Sequence, residues 1–302
     1  MPVNSSALVY VVAASLACLV GASPASAQTQ TSLTPTARID AAASATPAAL
    51  APEDSLPELI TDRPDITESS AVVGHGMWQL ETGMLFESDR ADRVTTRDLS
   101  APNALLRVGI GSRFELRLSG AGVLSESLSA SGATSGSART TGMSDFELGF
   151  KYVFLDQSRA GVDAAIIPIV SFPVGDERFS SGGADPTLKV TISRDLPRGF
   201  GLGGNLIVAS STEDDQRSTQ TAMSVSVGHA LVRGWAGFWE LYGASALSDE
   251  SGQEWTFDTG VTHPIGENAQ FDVSVGRGLT NGASDWFVGV GFSIRGTYRH
   301  RR

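Results

Sequence analysis

The sequence predicts an all-β fold, a transmembrane antiparallel up-and-down β-barrel of about 12 strands. Three observations support this class. Apolar and polar residues alternate in short segments, long polar connections alternate with tight turns, and aromatic residues gather at both ends of the segments. A bacterial outer-membrane barrel has long loops outside and short turns in the periplasm. We therefore expect the chain to reside in the bacterial outer membrane.

The alternation of side chains is clearest in residues 145–155, DFELGFKYVFL. Successive side chains of a strand point to opposite faces, so one face of this segment is apolar and the other polar. The same pattern recurs in 78–86, 113–118 and 286–295. A soluble β-sandwich also shows such alternation, so this observation alone leaves the sandwich open.

The connections between the segments alternate in length along the chain. The long polar connections occupy 87–100, 121–142, 172–184, 210–218, 248–252 and 278–284. The tight turns between them occupy 109–112, 156–159, 195–199, 231–234 and 264–267. Strands that each cross a membrane once sort their connections in this way, whereas a sandwich has no reason to do so.

Aromatic residues give the third observation. If Trp78 begins the first outward-running strand, one group of rings lies near the periplasmic strand ends: Trp78, Phe114, Phe154, Trp235 and Phe271. A second group lies near the outer ends: Phe86, Phe146, Phe172, Trp255 and Trp286. Aromatic rings are most stable at the two lipid–water interfaces. The two groups therefore favour the barrel over the sandwich.

The start of the chain predicts export. Residues 7–20 are apolar and are followed by the small residues Ala25, Ser26 and Ala27, so we expect a signal peptide at 1–27. The leading MPVNSS contains no Lys or Arg, which leaves the true N-terminus open. An alternative is a lipoprotein acylated at Cys18. Cys18 is the single cysteine, so the predicted mature chain forms no disulfide.

The rest of the chain divides by composition. Residues 28–60 are rich in Ala, Thr, Ser and Pro without a period, which predicts a disordered periplasmic linker, with a lumen plug as the alternative. The barrel is expected over 61–295, followed by a basic tail at 296–302 whose role stays open. Pro168 falls inside a predicted strand, where we expect a bulge or an early strand end.

Charge and histidine placement limit the function classes. The formal net charge of −11 excludes nucleic acid as a favoured partner, because phosphates would be repelled. The histidines are His75, His229, His263 and His300, all expected at periplasmic ends or outside the barrel. A barrel hydrolase needs a histidine near the outer side, and no spacing resembles a metal site. We expect no catalytic or metal-binding residue and no cofactor.

The polar inner face is the candidate functional surface. The candidate lumen-lining residues are Glu81, Arg107, Arg113, Glu115, Arg117, Glu147, Lys151, Asp163, Lys189, Glu240, Glu254, Asp258, Asp272 and Arg295. Arg113, Glu115 and Arg117 are expected on successive inward positions of one strand. Charges of both signs either form bridged networks that fill the lumen, which we favour, or line a water path that selects permeants by charge and size.

Two motifs resemble a known family. Residues 61–69 (TDRPDITES) with 76–83 (GMWQLETG) resemble the opening of the outer-membrane transporter family of meta-pathway phenol degradation proteins, and 167–176 resembles its mid-barrel region. The resemblance implies a 12-stranded barrel, with some members lying beside aromatic-degradation pathways. Read locally, TDRPDITES predicts a capped turn, an interpretation that we weigh equally with a binding role for Asp62 and Arg63.

These observations predict an outer-membrane channel or uptake protein for small solutes, aromatic or hydrophobic ones included, that works by passive diffusion. The expected partners are outer-membrane lipid, a small-molecule solute and, during biogenesis, the barrel assembly machinery. The alternatives are a structural or adhesive barrel that acts through connection 121–142 and, less favoured, an outer-membrane enzyme. The solute, the oligomeric state and whether the lumen is open stay undetermined at this point.

Overall fold

The computed structural model of the chain describes residues 59–131, 135–213, 216–245 and 253–298. The predicted signal peptide 1–27, residues 28–58 of the predicted linker, connection 248–252 and the last residues of the basic tail lie outside the described residues. Within them, the helices are one turn at Gln157–Ala160 and two 3-10 turns at Glu177–Phe179 and Pro197–Gly199. No helix in these ranges is long and apolar enough to span a membrane.

Fourteen strands form one antiparallel sheet in the described part of the chain. They are β1 Met77–Ala91, β2 Val94–Gly109, β3 Phe114–Gly120, β4 Val123–Ala130, β5 Gly136–Met143, β6 Phe146–Leu155, β7 Asp163–Phe172, β8 Asp185–Leu196, β9 Phe200–Glu213, β10 Gln216–Ala230, β11 Ala236–Ala244, β12 Glu254–Pro264, β13 Ala269–Gly278 and β14 Trp286–Thr297.

The sheet closes into a barrel of 12 strands, which confirms the predicted fold class. Around the barrel, β1, β2, β3 and β6 to β14 follow in order, and β14 pairs with β1 from Met77 opposite Thr297 to Ser88 opposite Trp286. A closed barrel satisfies its backbone N–H and C=O groups between strands, so these strands can stand in lipid without an open edge.

The strands β4 and β5 correct one sequence expectation. Connection 121–142 was predicted as a polar loop, but most of it forms a hairpin whose β4 pairs with the outer half of β2, from Val94 opposite Ala130 to Ala101 opposite Val123. The predicted loop 87–100 is likewise strand over most of its length. Backbone hydrogen bonds hold these residues together, and Leu124 adds only a small buried apolar cluster with Ala121 and Phe179, so the Ser- and Thr-rich sequence gave no sustained apolar alternation.

The lipid-facing surface follows the predicted alternation. In β6 the outward side chains Leu148, Phe150 and Tyr152 are exposed, whereas Lys151 is completely buried on the inner side. A soluble sandwich would bury its apolar face and expose its charges. The observed arrangement is the reverse, as lipid on the outside requires.

Pro168 does not interrupt its strand, so the expected bulge or early end was wrong. β7 continues to Phe172, and the register between β6 and β7 is the same at Gly149 opposite Ile169 as at Tyr152 opposite Ile166. The pairing with β6 is interrupted at Pro168 and Ile167, as expected for a residue without an N–H group to donate, and it resumes in the same register before shifting between Val153 and Leu155. The register shift between β1 and β2 lies elsewhere, next to Pro102, where Gly83 opposes Asn103 and Leu85 opposes Ser100.

Candidate functional site: a segment inside the lumen

Residues 59–76, here called the lumen segment, precede β1; most of them lie inside the barrel, and the segment ends at the periplasmic rim, where His75 is exposed beside Ile110. Its side chains contact inward residues of β3, β6, β8, β11 and β13, which surround it on all sides. Leu59 and Ile60, which were assigned to the linker, belong to it: the Ile60 carbonyl accepts hydrogen bonds from Gln79 and Arg107. The motif 61–69 is therefore bound to the barrel wall and forms no helix.

The first contact region is a basic wall. The buried Asp62 carboxylate lies 3.3 Å from Arg107 Nη1, 2.6 Å from Arg117 Nη1 and 2.8 Å from Lys151 Nζ. Glu68 pairs at 2.8 Å with both Arg117 Nη2 and Lys189 Nζ. Two carboxylates of the lumen segment therefore neutralise cations from four strands of the wall.

In the ranges that the structure describes, only two of these four cations, Arg107 and Arg117, also pair with carboxylates of the barrel wall. Glu115 lies 2.9 Å from Arg107 Nε and 2.8 Å from Arg117 Nη1, and Glu81 lies 3.0 Å from Arg107 Nη1. In the described part of the chain, the ion-pair partners of Lys151 and Lys189 all belong to the lumen segment. The two arginines have wall partners; the two lysines depend on the segment.

The opposite side of the lumen is acidic. Arg63 Nη2 pairs with Asp272 at 3.2 Å, and the backbone N–H groups of Ile66 and Thr67 donate to the Glu240 carboxylate at 2.6 and 2.7 Å. Asp65 accepts a hydrogen bond from the Ser226 hydroxyl at 2.7 Å. Except at Asp65, whose carboxylate lies on the acidic side, the lumen segment is complementary to both walls: Asp62 and Glu68 face the cations, and the N–H groups and Arg63 face the acids.

The guanidinium of Arg63 packs against two glycines of the barrel wall, Gly83 and Gly291. Gly83 and Gly291 oppose each other across β1 and β14, and a Cβ at either position would overlap the Arg63 guanidinium. Gly291→Ala should therefore push Arg63 away from Asp272 and weaken docking of the lumen segment by about 1–3 kcal/mol, the usual cost of overpacking. Faster hydrogen exchange of the Asp62 and Ile66 amides would report this.

Gly289→Ala is the matched control for that substitution. Gly289 is the next inward glycine of β14, and its Cβ would meet Ser274 and Leu85 rather than Arg63. In the Gly289→Ala variant, we expect the hydrogen-exchange rates of the Asp62 and Ile66 amides to stay near those of the parent. Equal exchange in the Gly289 and Gly291 variants would show that packing against Gly83 and Gly291 does not hold Arg63.

Outside the lumen segment, toward the outer strand ends, the barrel holds a small pocket that is open to solvent and has a volume of about 50 Å³. Ile66 and Lys189 line it where it meets the lumen segment, and Glu147, Gln220 and Tyr242 line its sides. We call this space the vestibule. A solute that enters from outside therefore reaches Lys189 before it reaches the buried cations behind the segment.

The predicted lumen-lining residues separate into three groups. Those that contact the lumen segment are Glu81, Arg107, Glu115, Arg117, Lys151, Lys189, Glu240 and Asp272. Glu147 lines the vestibule, Glu254 is half-buried in β12 near its outer end, and the buried Asp258 opposes Glu240 in register. Arg113, Asp163 and Arg295 lie at the periplasmic end.

The periplasmic group needs one correction. Arg113 precedes β3 and is exposed, so the expected inward ladder contains only Glu115 and Arg117. Asp163 accepts a hydrogen bond from the Gln157 N–H, and Arg295 donates to Asn268 and Glu267. These side chains tie the rim together at the turns. Arg113 precedes the first residue of β3, so strand alternation does not apply to it, whereas Arg295 lies within β14 and is buried on the inner side.

Sequence reasoning missed that Asp65 and Glu68 belong to the site, and it left Asp62 and Arg63 undecided. The available signal was their density of charge immediately before β1, opposite an inner face that carries both signs. Among the described residues, no group of three His, Cys, Asp or Glu side chains is arranged to hold a metal ion. His229 contacts the Phe200 ring and His263 stacks on Trp235, far from each other in the sequence.

Comparison with known sequences identifies the family. The model of the family described as "Putative MetA-pathway of phenol degradation" matches residues 61–296, which includes the lumen segment from Thr61 onward and the barrel. The chain belongs to this family. No curated protein compared with the chain matches it.

Solved structures of outer-membrane barrels are similar to this family member to different degrees. An outer-membrane channel from Pseudomonas putida F1 superposes with a TM-score of 0.57 at 12% identity, over 75% of this chain and 98% of that one. The NanC porin gives a TM-score of 0.44 at 12% identity, over 72% and 98% of the two chains. The CymD monoaromatic hydrocarbon channel gives 0.40 at 10% identity, over 76% and 90%. The first likeness shows an outer-membrane barrel fold.

Proposed function

We propose that the protein is an outer-membrane channel through which small solutes, aromatic or hydrophobic ones included, diffuse passively, and that the lumen segment restricts the passage. The observation that carries this proposal is the polar contact between the lumen segment and both walls. The name of the similar Pseudomonas protein, an outer membrane channel, and the family description support the same function class. The proposal contains no chemical step.

Polar residues make the contact between the lumen segment and the barrel wall, which favours a segment that can leave its position in the passage. A lumen that only had to be filled would be at least as stable with apolar side chains, because buried ion pairs repay their desolvation poorly. A segment that leaves its seat exposes both itself and the wall to water, and polar surfaces tolerate this whereas apolar ones do not. Asp62 and Glu68 on one side and Lys151 and Lys189 on the other meet this requirement.

Liposome swelling tests the channel directly. Vesicles that contain the purified full-length protein should swell in small uncharged solutes such as xylose faster than protein-free vesicles, and the rate should fall as solute size grows, because a restricted lumen selects by size. Vesicles with heat-denatured protein are the control. The channel proposal would be wrong if swelling is accelerated neither by the parent nor by Asp62→Ala, which removes the ion pairs of the lumen segment with Arg107, Arg117 and Lys151.

A further inference from the structure

The wall cations Arg117, Lys151 and Lys189 form a cluster that binds the carboxylates of the lumen segment. Arg117 holds two carboxylates at once, Asp62 at Nη1 and Glu68 at Nη2, at 2.6 and 2.8 Å. Lys151 Nζ lies 2.8 Å from the first carboxylate and 3.9 Å from the second. The chain therefore uses its own side chains to fill a site for two neighbouring carboxylates.

If the lumen segment moves away, these cations lose the carboxylates of Asp62 and Glu68. Arg117 keeps Glu115 as a wall partner at 2.8 Å, but Lys151 and Lys189 lose every ion-pair partner that the described structure gives them. Unpaired ammonium groups in a narrow lumen are costly. An anion that supplies the missing carboxylates therefore stabilises the state in which the segment is displaced.

Access to the cluster comes from the vestibule. Lys189 is the cation that lines the vestibule, beside Ile66 and together with the carboxylates of Asp145, Glu147 and Asp185, so an entering anion is attracted at Lys189, whose partner in the segment is Glu68. Arg117 shares Glu68 with Lys189, so exchange at Lys189 leads on to Arg117 and Lys151. A ligand that binds only the displaced state shifts the equilibrium toward it.

We propose that small organic carboxylates, and dicarboxylates most strongly, bind Arg117, Lys151 and Lys189 in place of Glu68 and Asp62 and so displace the lumen segment from the passage. This inference rests on the proposed channel function, and it adds the substrate class and the way the passage opens. The segment acts as an internal carboxylate ligand that the solute replaces.

Solute flux into vesicles that contain the full-length protein tests the proposal. The probes are succinate, butyrate and 1,4-butanediol, which have four carbons each and carry two, one and no carboxylates. In the parent, the flux should rank in that order. Lys189→Met should lower the ratio of succinate to butanediol flux by about tenfold, within the usual range of coupling between a ligand and a two-state element.

Arg217→Met is the matched control, because Arg217 is a cation near the outer strand ends that lies 3.8 Å from Asp185 and has no ion pair with the lumen segment. Its flux ratio should equal that of the parent. Equal ratios in parent, Lys189→Met and Arg217→Met would overturn the carboxylate site. Absence of flux for all three probes, in the parent and in Asp62→Ala, would instead overturn the channel function itself.

A second measurement needs no variant. In the parent, succinate should accelerate hydrogen exchange of the Thr67 and Ser69 amides, which bond to Glu240 and Asp62, while the same concentration of butanediol should not. Unchanged or slower exchange in succinate would overturn displacement of the segment, even if Lys189→Met does not fold.

Discussion

Replacing Asp62 by alanine should release the lumen segment while the barrel stays folded. The Asp62 carboxylate is fully buried and forms ion pairs with Arg107, Arg117 and Lys151. Breaking buried ion pairs from one side leaves uncompensated charge and costs about 3–5 kcal/mol. Since about 1.4 kcal/mol is a factor of ten in an equilibrium constant, docking should weaken by roughly two to four orders of magnitude.

Hydrogen exchange and single-channel recording measure this release. The Ile66 and Thr67 amides, which donate to Glu240, should exchange faster, and the conductance in planar bilayers should rise. Asp145→Ala is the control, since Asp145 is a buried carboxylate near the outer strand ends that accepts from the Gly175 and Ser181 N–H groups and forms no ion pair with the lumen segment. Parent-like exchange in Asp62→Ala would show that the ion pairs do not hold the segment.

Replacing Phe150 by arginine should destabilise the barrel rather than the segment. Phe150 points to the lipid from the middle of β6, opposite Leu116 of β3, with 37% of its surface exposed. Arginine near the bilayer midplane costs about 2–4 kcal/mol in a transmembrane barrel. Reversible urea unfolding in lipid vesicles, followed by tryptophan fluorescence, should show a loss of this size.

Phe154→Arg provides the depth control for that substitution. Phe154 is exposed near the periplasmic end of β6, where the same change costs only about 0–1 kcal/mol because the charge reaches the interface. Equal losses at the two positions would contradict the assigned membrane depth. A stability of Phe150→Arg equal to that of the parent would contradict the assigned lipid face.

The sequence predicted those parts of the fold that depend on near neighbours. Alternation in 145–155 correctly placed Phe150 outside and Lys151 inside, because the pleat of a strand has a period of two wherever the strand lies. The hairpin of β4 and β5 escaped prediction for a related reason. It has no lipid to face, so its residues carry no apolar alternation, and only its pairing with β2 identifies it as strand.

The candidate site was predicted only in part: the charged residues of the wall were predicted, but their partner inside the lumen was not. Parity identified Glu115, Arg117 and Lys151 as inward, but it did not show what they face. The partner is a charged stretch that was read with equal weight as a local capped turn, since Thr61, Asp65 and Glu68 have the residue types and spacing of helix caps. The sequence around these residues shows that their side chains can form hydrogen bonds. It does not show whether they cap a local turn or pair with wall residues that are distant in the chain.

The sequence by itself determined that this chain crosses a membrane with strands and which face of its clearly alternating strands, such as β6, meets lipid, because both follow from residue alternation and from the order of long and short connections. Only the tertiary structure decided what fills the lumen. Asp62 and Lys151 are 89 residues apart, and Arg63 and Asp272 are 209 apart. Barrel closure brings these charges into one small space, and the low polarizability of that space is what makes their pairing obligatory.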